Sequence, residues 1–306
     1  MSIIVTGASG SFGRMVTELL LQRVEPADLI LVTRTPDKLA SLAERGVQVR
    51  YGDFDDAESL RSAFAGGQRM LLISTLDVGE RRRRQHKTAI EAAVAARVEH
   101  IAYTSSTGIH PRSPAFVIED HLATEERLRQ SGVAYTFLRD AQYAEVIATM
   151  MAPMAIATGQ WVSSVDRGCI AFVSKQDCVA AAAAVLTTPG HEGAAYEITG
   201  PELLTFRDAA AIAAEVSGRS VEFVLVTHDE MQARFDAAGV PRRYVEGMQL
   251  DHIGPWGSEE MMSYERAVDA GYFSICSHHV ELLTGRPAKS LREVFIENRD
   301  ALMPKV

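Results

Sequence analysis

Ile3-Ile4-Val5-Thr6-Gly7-Ala8-Ser9-Gly10-Ser11-Phe12-Gly13 is the stretch that decides the fold. An apolar, β-branched run opens into three glycines at three-residue spacing, and Met15, Val16, Leu19 and Leu20 follow at helical spacing. A run without polar alternation suits a strand buried on both faces. Gly7 permits a tight turn, Gly10 lets the backbone approach a pyrophosphate with no Cβ in the way, and Gly13 lets the helix pack close on the strand. The helix N-terminus then offers free N–H groups to phosphate. A plain strand-to-helix turn needs only one glycine, so three at this spacing point to a dinucleotide site.

Working outward, Leu29-Ile30-Leu31-Val32-Thr33 reads as a second buried strand that ends in Arg34, with Lys38 one turn onward. An acidic residue at that strand end accepts from the 2′-hydroxyl of NAD, whereas an arginine accommodates the 2′-phosphate of NADP. The basic end therefore predicts NADP(H), with NAD(H) as the alternative. Val47 to Tyr51 alternates as a third strand and runs into Asp53 and Phe54, placed to meet adenine. Met70 to Thr75 is a fourth strand, and Ser74 and Thr75 at its carboxyl end face the ribose and nicotinamide. Ile101 to Ser105 is the fifth, ending in Thr104 and Ser105, and Val133 to Arg139 is the sixth. Helical stretches separate these strands, which predicts a parallel, doubly wound sheet of Rossmann type. The cofactor-binding set is then Gly7, Ser9, Gly10, Ser11, Phe12, Gly13, Arg34, Lys38, Asp53, Phe54, Ser74, Thr75, Thr104, Ser105 and His121.

Beyond about Asp140 the rhythm changes. Ile170 to Val173 and Tyr196 to Gly200 look like strands, the latter an added edge of the main sheet, and Thr205 caps a helix running to Val216. Val221 to Val226 is a short strand, and the remainder reads as helical, with breaks at Pro241 and Gly254-Pro255-Trp256-Gly257. The expected organisation is a dinucleotide-binding domain over 1–150, to which 170–200 returns, and a smaller, mostly helical substrate lobe over 201–306. Trp161, Phe172 and the Met-rich stretch near Met150 lean slightly towards a greasy acceptor pocket, though such residues are more often plain core.

The 306 residues can bury a full core, and no apolar run reaches membrane-spanning length. A net charge of −9 argues against a nucleic-acid surface. Three scattered cysteines predict reduced thiols in a cytoplasmic protein without a secretory leader. Arg81-Arg82-Arg83-Arg84 starts a helix and points in several directions, which reads as a mostly solvated run. Cys276, His278 and His279 make a poor metal set, since adjacent histidines rarely converge on one ion. No Gly-x-Ser-x-Gly elbow supports a serine nucleophile.

The chain resembles the NmrA-like members of the atypical short-chain dehydrogenase/reductases, in the branch of NAD(P)H:quinone oxidoreductases and triphenylmethane reductases. The resemblance rests on Val5 to Gly13, Arg34, Gly52-Asp53, His100 to Ser105, Asp120 to Glu125, Tyr135 to Arg139, Leu283 to Pro287 and Ser290 to Glu293. It covers nearly the whole chain except about 240–277. It implies NADPH binding and hydride transfer to a quinone-like or conjugated carbonyl compound. The alternative within the family is an NAD(P)-sensing regulator with little turnover. The partners implied are a small-molecule substrate and a possible second copy of the chain, with neither nucleic acid nor membrane.

One departure bears on mechanism. No tyrosine has lysine four residues on, so the Tyr-x-x-x-Lys proton donor of short-chain dehydrogenases is missing. The matching helix position of relatives places His121 beside the nicotinamide. Glu125, at i+4, is expected to hold its ring and raise its pKa, so that His121 donates a proton. Tyr143, just after the sixth strand, is the second catalytic candidate and equally suited to packing.

Overall fold

The computed structural model describes residues 1–243 and 256–302, so the break expected at Gly254-Pro255 lies outside the described residues. The main sheet holds β1 (Ile3–Val5), β2 (Leu29–Thr33), β3 (Gln48–Tyr51), β4 (Arg69–Leu72), β5 (His100–Ser106), β6 (Ala134–Asp140) and, past a further strand, β8 (Ala195–Ile198). Their order is β3-β2-β1-β4-β5-β6-β8, and every pairing is parallel. Side chains alternate across it. Ile3, Val5, Leu29, Leu31 and Leu71 face one core, while Ile4, Ile30, Val32, Met70 and Leu72 face the other. A strand buried on both faces has no polar side, which is why these runs read as continuous apolar stretches.

The helices of this half are α1 (Ser11–Leu20), α2 (Ala40–Glu44), α3 (Ala57–Phe64), α4 (Glu80–Ala95), α5 (Phe116–Gln130), the short α6 (Ala144–Val146), α7 (Ala152–Thr158) and α8 (Lys175–Thr187). Val16, Leu20, Val179 and Val185 of α1 and α8 cover the first face, and Leu60, Phe64, Ile90 and Leu128 of α3, α4 and α5 cover the second. The Asp56 carboxylate caps α3 by accepting from the N–H groups of Glu58 and Ser59.

A second sheet pairs β7 (Gln160–Ser163) with β9 (Glu222–Leu225), in parallel. With it come α9 (Phe206–Ser217), α10 (His228–Ala237), α11 (Ser258–Asp269), α12 (His279–Thr284), α13 (Leu291–Glu297) and α14 (Arg299–Leu302). Thr205 and Asp208 cap α9 reciprocally. Two readings need correction here. Ile170 to Val173 makes only isolated bridges, Ile170 with Leu204 and Val173 with Tyr143. Its apolar run reports burial and not strand pairing. Trp161 and Phe172, each 2% exposed, pack against Phe206 inside a second core, while Met150 is exposed. Val280 of α12 belongs to the core under the main sheet, whereas Leu291, Val294 and Phe295 of α13 and Leu302 of α14 belong to the second core.

Candidate active site

Strand order reverses between β1 and β4, and ligands of open α/β sheets bind where the carboxyl ends of such strands diverge. The glycine turn lies at this point. Gly7 adopts φ +59°, a left-handed conformation that favours glycine. Gly10 caps α1, and its N–H donates to the Gly7 carbonyl at 2.9 Å. A Cβ on Gly13 would lie 2.5 Å from that carbonyl oxygen and 2.7 Å from Ala8 Cα, so only glycine lets helix and turn approach this closely. Ser11, Phe12 and Gly13 open the helix, where N–H groups lack intrahelical partners. Across the cleft, the Ser74 Oγ and Thr75 Oγ1 atoms after β4 are buried and without a partner among the described residues. A nest of free N–H groups facing orphaned hydroxyls fits a dinucleotide.

The expected adenosine side lies at the end of β2. Ser9 Oγ and Thr33 Oγ1 share a hydrogen bond of 2.7 Å, tying the glycine turn to the strand end. Arg34 and Lys38 are exposed, and the Arg34 side chain has no hydrogen bond or ion pair among the described residues. Sequence reasoning missed Arg14. Its Nε donates to the Ser9 carbonyl at 3.0 Å and its Nη2 to the Lys38 carbonyl at 2.7 Å, adding a third cation to this corner. Its position one residue past Gly13 was the available signal. Asp53 Oδ1 accepts from the Asp55 N–H, and Phe54 sets its ring against His86 at 6.4 Å.

Past the end of β4, where the nicotinamide is expected, the Ser74 N–H donates to Thr104 Oγ1 at 2.9 Å and the Thr75 N–H to His86 Nε2 at 3.1 Å. Because Nε2 accepts, the His86 proton sits on Nδ1 and is given to Thr124 Oγ1 at 2.9 Å. Burial, aided by the Arg82 charge, pushes the His86 pKa down to about 3. The Ser105 hydroxyl donates inward to Glu125 Oε1 at 2.8 Å.

His121 departs from expectation. It is buried; Tyr103 OH lies 2.8 Å from Nδ1, and Arg82 Nη1 lies 3.4 Å from Nε2. Arginine only donates, so Nε2 is the acceptor and the ring proton faces Tyr103. Burial, Arg82 and His86 all lower the His121 pKa, so the ring is neutral at pH 7. Glu125 does not hold it. Its carboxylate accepts from Arg139 Nε and Nη2 at 2.9 and 2.8 Å and from Arg129 Nη2 at 2.9 Å. Nor is the arginine run solvated throughout. Arg82 is buried and Arg83 pairs with the buried Asp120 at 2.7 Å, while Arg81 and Arg84 reach Asp55. An i+4 neighbour offers only a nearby helical position, whereas these partners come from other elements and desolvate the groups they meet.

Tyr143 stands past the end of β6, half-buried, its ring stacked on Phe12 with centroids 6.4 Å apart. The Lys175 ammonium lies 5.6 Å from the Tyr143 ring centre. The Tyr143 hydroxyl donates to Asp140 Oδ2 at 2.9 Å.

A glycine turn, a basic corner and orphaned hydroxyls at the switch point agree with what comparison with known proteins finds. An NAD(P)H-binding family model matches residues 7–189. The chain belongs to the NAD(P)H-binding family. This family member is 37% identical over 253 residues to quinone oxidoreductase 2 of Escherichia coli strain K12, covering 82% of this chain and 87% of that one. Among solved structures it is similar to an E. coli NADPH-dependent quinone oxidoreductase complexed with NADPH, at 32% identity and TM-score 0.86 over 96% of this chain and 99% of that one. It is similar also to Citrobacter sp. triphenylmethane reductase, at 32% identity and TM-score 0.83 over 99% of each. These likenesses agree with the resemblance that the sequence carries.

In this NAD(P)H-binding protein, the described residues include no group of three or more His, Cys, Asp or Glu side chains able to hold a metal ion. His279 Nδ1 accepts from the Glu197 N–H, and Cys276 Sγ lies against the Gly200 carbonyl. Among the described residues no helix is long and apolar enough to cross a membrane.

Proposed function

We propose that the protein transfers hydride from NADPH to quinone-like or conjugated carbonyl acceptors. The carrying observation is that likeness to the NADPH-complexed quinone oxidoreductase spans 96% of the chain, and so includes the substrate lobe as well as the dinucleotide sheet. The cofactor supplies the hydride; this chain orients it and shapes the acceptor site. NADPH is held with its pyrophosphate at the N-terminus of α1 and its 2′-phosphate between Arg34, Lys38 and Arg14. The three free cysteines support a reducing, cytoplasmic setting, and a homodimer is the assembly to test by mass in solution.

The deciding experiment follows NADPH consumption with menadione, an azo dye and a triphenylmethane dye. Saturable turnover with at least one acceptor is expected. Tight NADPH binding with no turnover across the panel would favour the regulatory reading instead.

Cofactor choice gives a second test. A charge-assisted contact is worth about 1.5–3 kcal/mol, so NADPH should bind roughly ten- to a hundredfold more tightly than NADH. Arg34→Ala should remove most of that preference and leave NADH affinity nearly unchanged in calorimetric titrations. Equal affinities in the unmutated protein would rule out a 2′-phosphate role for Arg34.

A further inference from the structure

The pair at the end of β6 has a feature that distinguishes it from the other buried acids. Glu125 is paired with two arginines, whereas Asp140 has no ion pair among the described residues. Its Oδ2 accepts the Tyr143 hydroxyl at 2.9 Å, and its Oδ1 is buried with no partner among the described residues. The titratable groups around it are the Cys178 thiol of α8, Tyr143, and the more distant Glu145 and Asp177, none of which stabilises a carboxylate by charge. Lys175 sits over the Tyr143 ring, its ammonium 5.6 Å from the ring centre. An ionised carboxylate with an orphaned oxygen is costly there; a neutral one is not. Burial, opposed by the Tyr143 hydrogen bond, pushes the Asp140 pKa up to about 7.

We propose that Asp140 is a positioning residue that, when protonated, donates to Tyr143 Oη and turns the phenol hydrogen out toward the acceptor, so that Tyr143 delivers the proton completing the reduction. When Asp140 is ionised, the only hydrogen of the phenol is held inward by Oδ2. When it is neutral, the carboxyl supplies the hydrogen for that bond and the phenol hydrogen is released toward the cleft. Phe12, stacked on the Tyr143 ring, fixes the phenol beside the glycine turn. In the reaction the acceptor carbon gains the hydride and the carbonyl π pair moves onto oxygen. That oxygen takes the Tyr143 proton, and water returns a proton to the phenolate while Asp140 holds Oη in place.

The inference rests on the reductase reading, and its test separates the two. With cyclohexenone, turnover should fall about tenfold per pH unit once Asp140 ionises above about pH 7. With menadione the fall should be slight, because a quinol anion is a weak base. Tyr143→Phe should lower cyclohexenone turnover about a hundredfold. Asp140→Ala should lose roughly tenfold at every pH. Asp140→Asn, whose amide donates permanently to Tyr143 Oη, should recover most of that and lose the falling limb. An infrared titration without cofactor reads the same group independently of turnover. A neutral-carboxyl C=O band should be present at pH 6, vanish in Asp140→Asn and shift in Tyr143→Phe. Absence of that band, or an unchanged alkaline limb in Asp140→Asn beside normal NADPH consumption, overturns this inference alone. No NADPH consumption by the unmutated protein with any acceptor overturns the reductase reading and this inference together.

Discussion

Replacing Glu125 by alanine is expected to destabilise the fold by about 3–5 kcal/mol, the usual cost of breaking a buried ion pair from one side. The Glu125 side chain is fully buried, and its four acceptor contacts come from Ser105 on β5, Arg139 on β6 and Arg129 on its own helix. Without it, Arg139 keeps, among the described residues, only Glu197 at 2.9 Å, inside the sheet edge that carries the end of β6. Glu125→Gln keeps the shape and loses the charge, so a smaller loss is expected. Urea unfolding with an unchanged m-value measures both. A loss below about 1 kcal/mol for Glu125→Ala would place this cluster with ordinary surface ion pairs.

Acid should weaken the protein through His86. Its folded pKa of about 3 lies below the unfolded value of 6.5, so the unfolded chain binds the proton first. The contribution is therefore intact above about pH 6.5 and is lost as pH falls towards 3. That gap corresponds to about 5 kcal/mol at its limit and about 2 kcal/mol by pH 5. Protonation also removes the acceptor of the Thr75 N–H and frees the loop that presents Ser74 and Thr75, so NADPH affinity should fall with stability. Denaturant midpoints at pH 7.5 and pH 5 should converge in His86→Gln, apart from the background titration common to both proteins. Equal pH slopes in the two proteins would remove His86 from this role.

The parallel sheet, the glycine turn and the cap at Thr205 were legible in the sequence, because each depends on residues within one strand or one helical turn. Gly13 could be read as a packing glycine before any distance was known, since its spacing from Gly7 already brings helix and turn together. The later part of the chain was less legible. Gln160 to Ser163 was not recognised as a strand, because its partner lies some sixty residues on, at Glu222 to Leu225.

The site shows where local rules stop. His121 and Glu125 share a helical face, yet the carboxylate is taken by Arg139 from β6 and the imidazole by Tyr103 from β5 and Arg82 from α4. Arg82 is one of four adjacent arginines, and nothing in the run marks it as the buried one. By itself, the sequence determined a doubly wound dinucleotide fold with a basic corner at the end of β2, since strand alternation, glycine spacing and strand-end charge are local. Only the tertiary structure decided that His121 stays neutral and that Asp140 has no ion pair among the described residues. Desolvation and pairing are set by groups brought together from distant parts of the chain, and those terms shift a pKa further than any helical neighbour does.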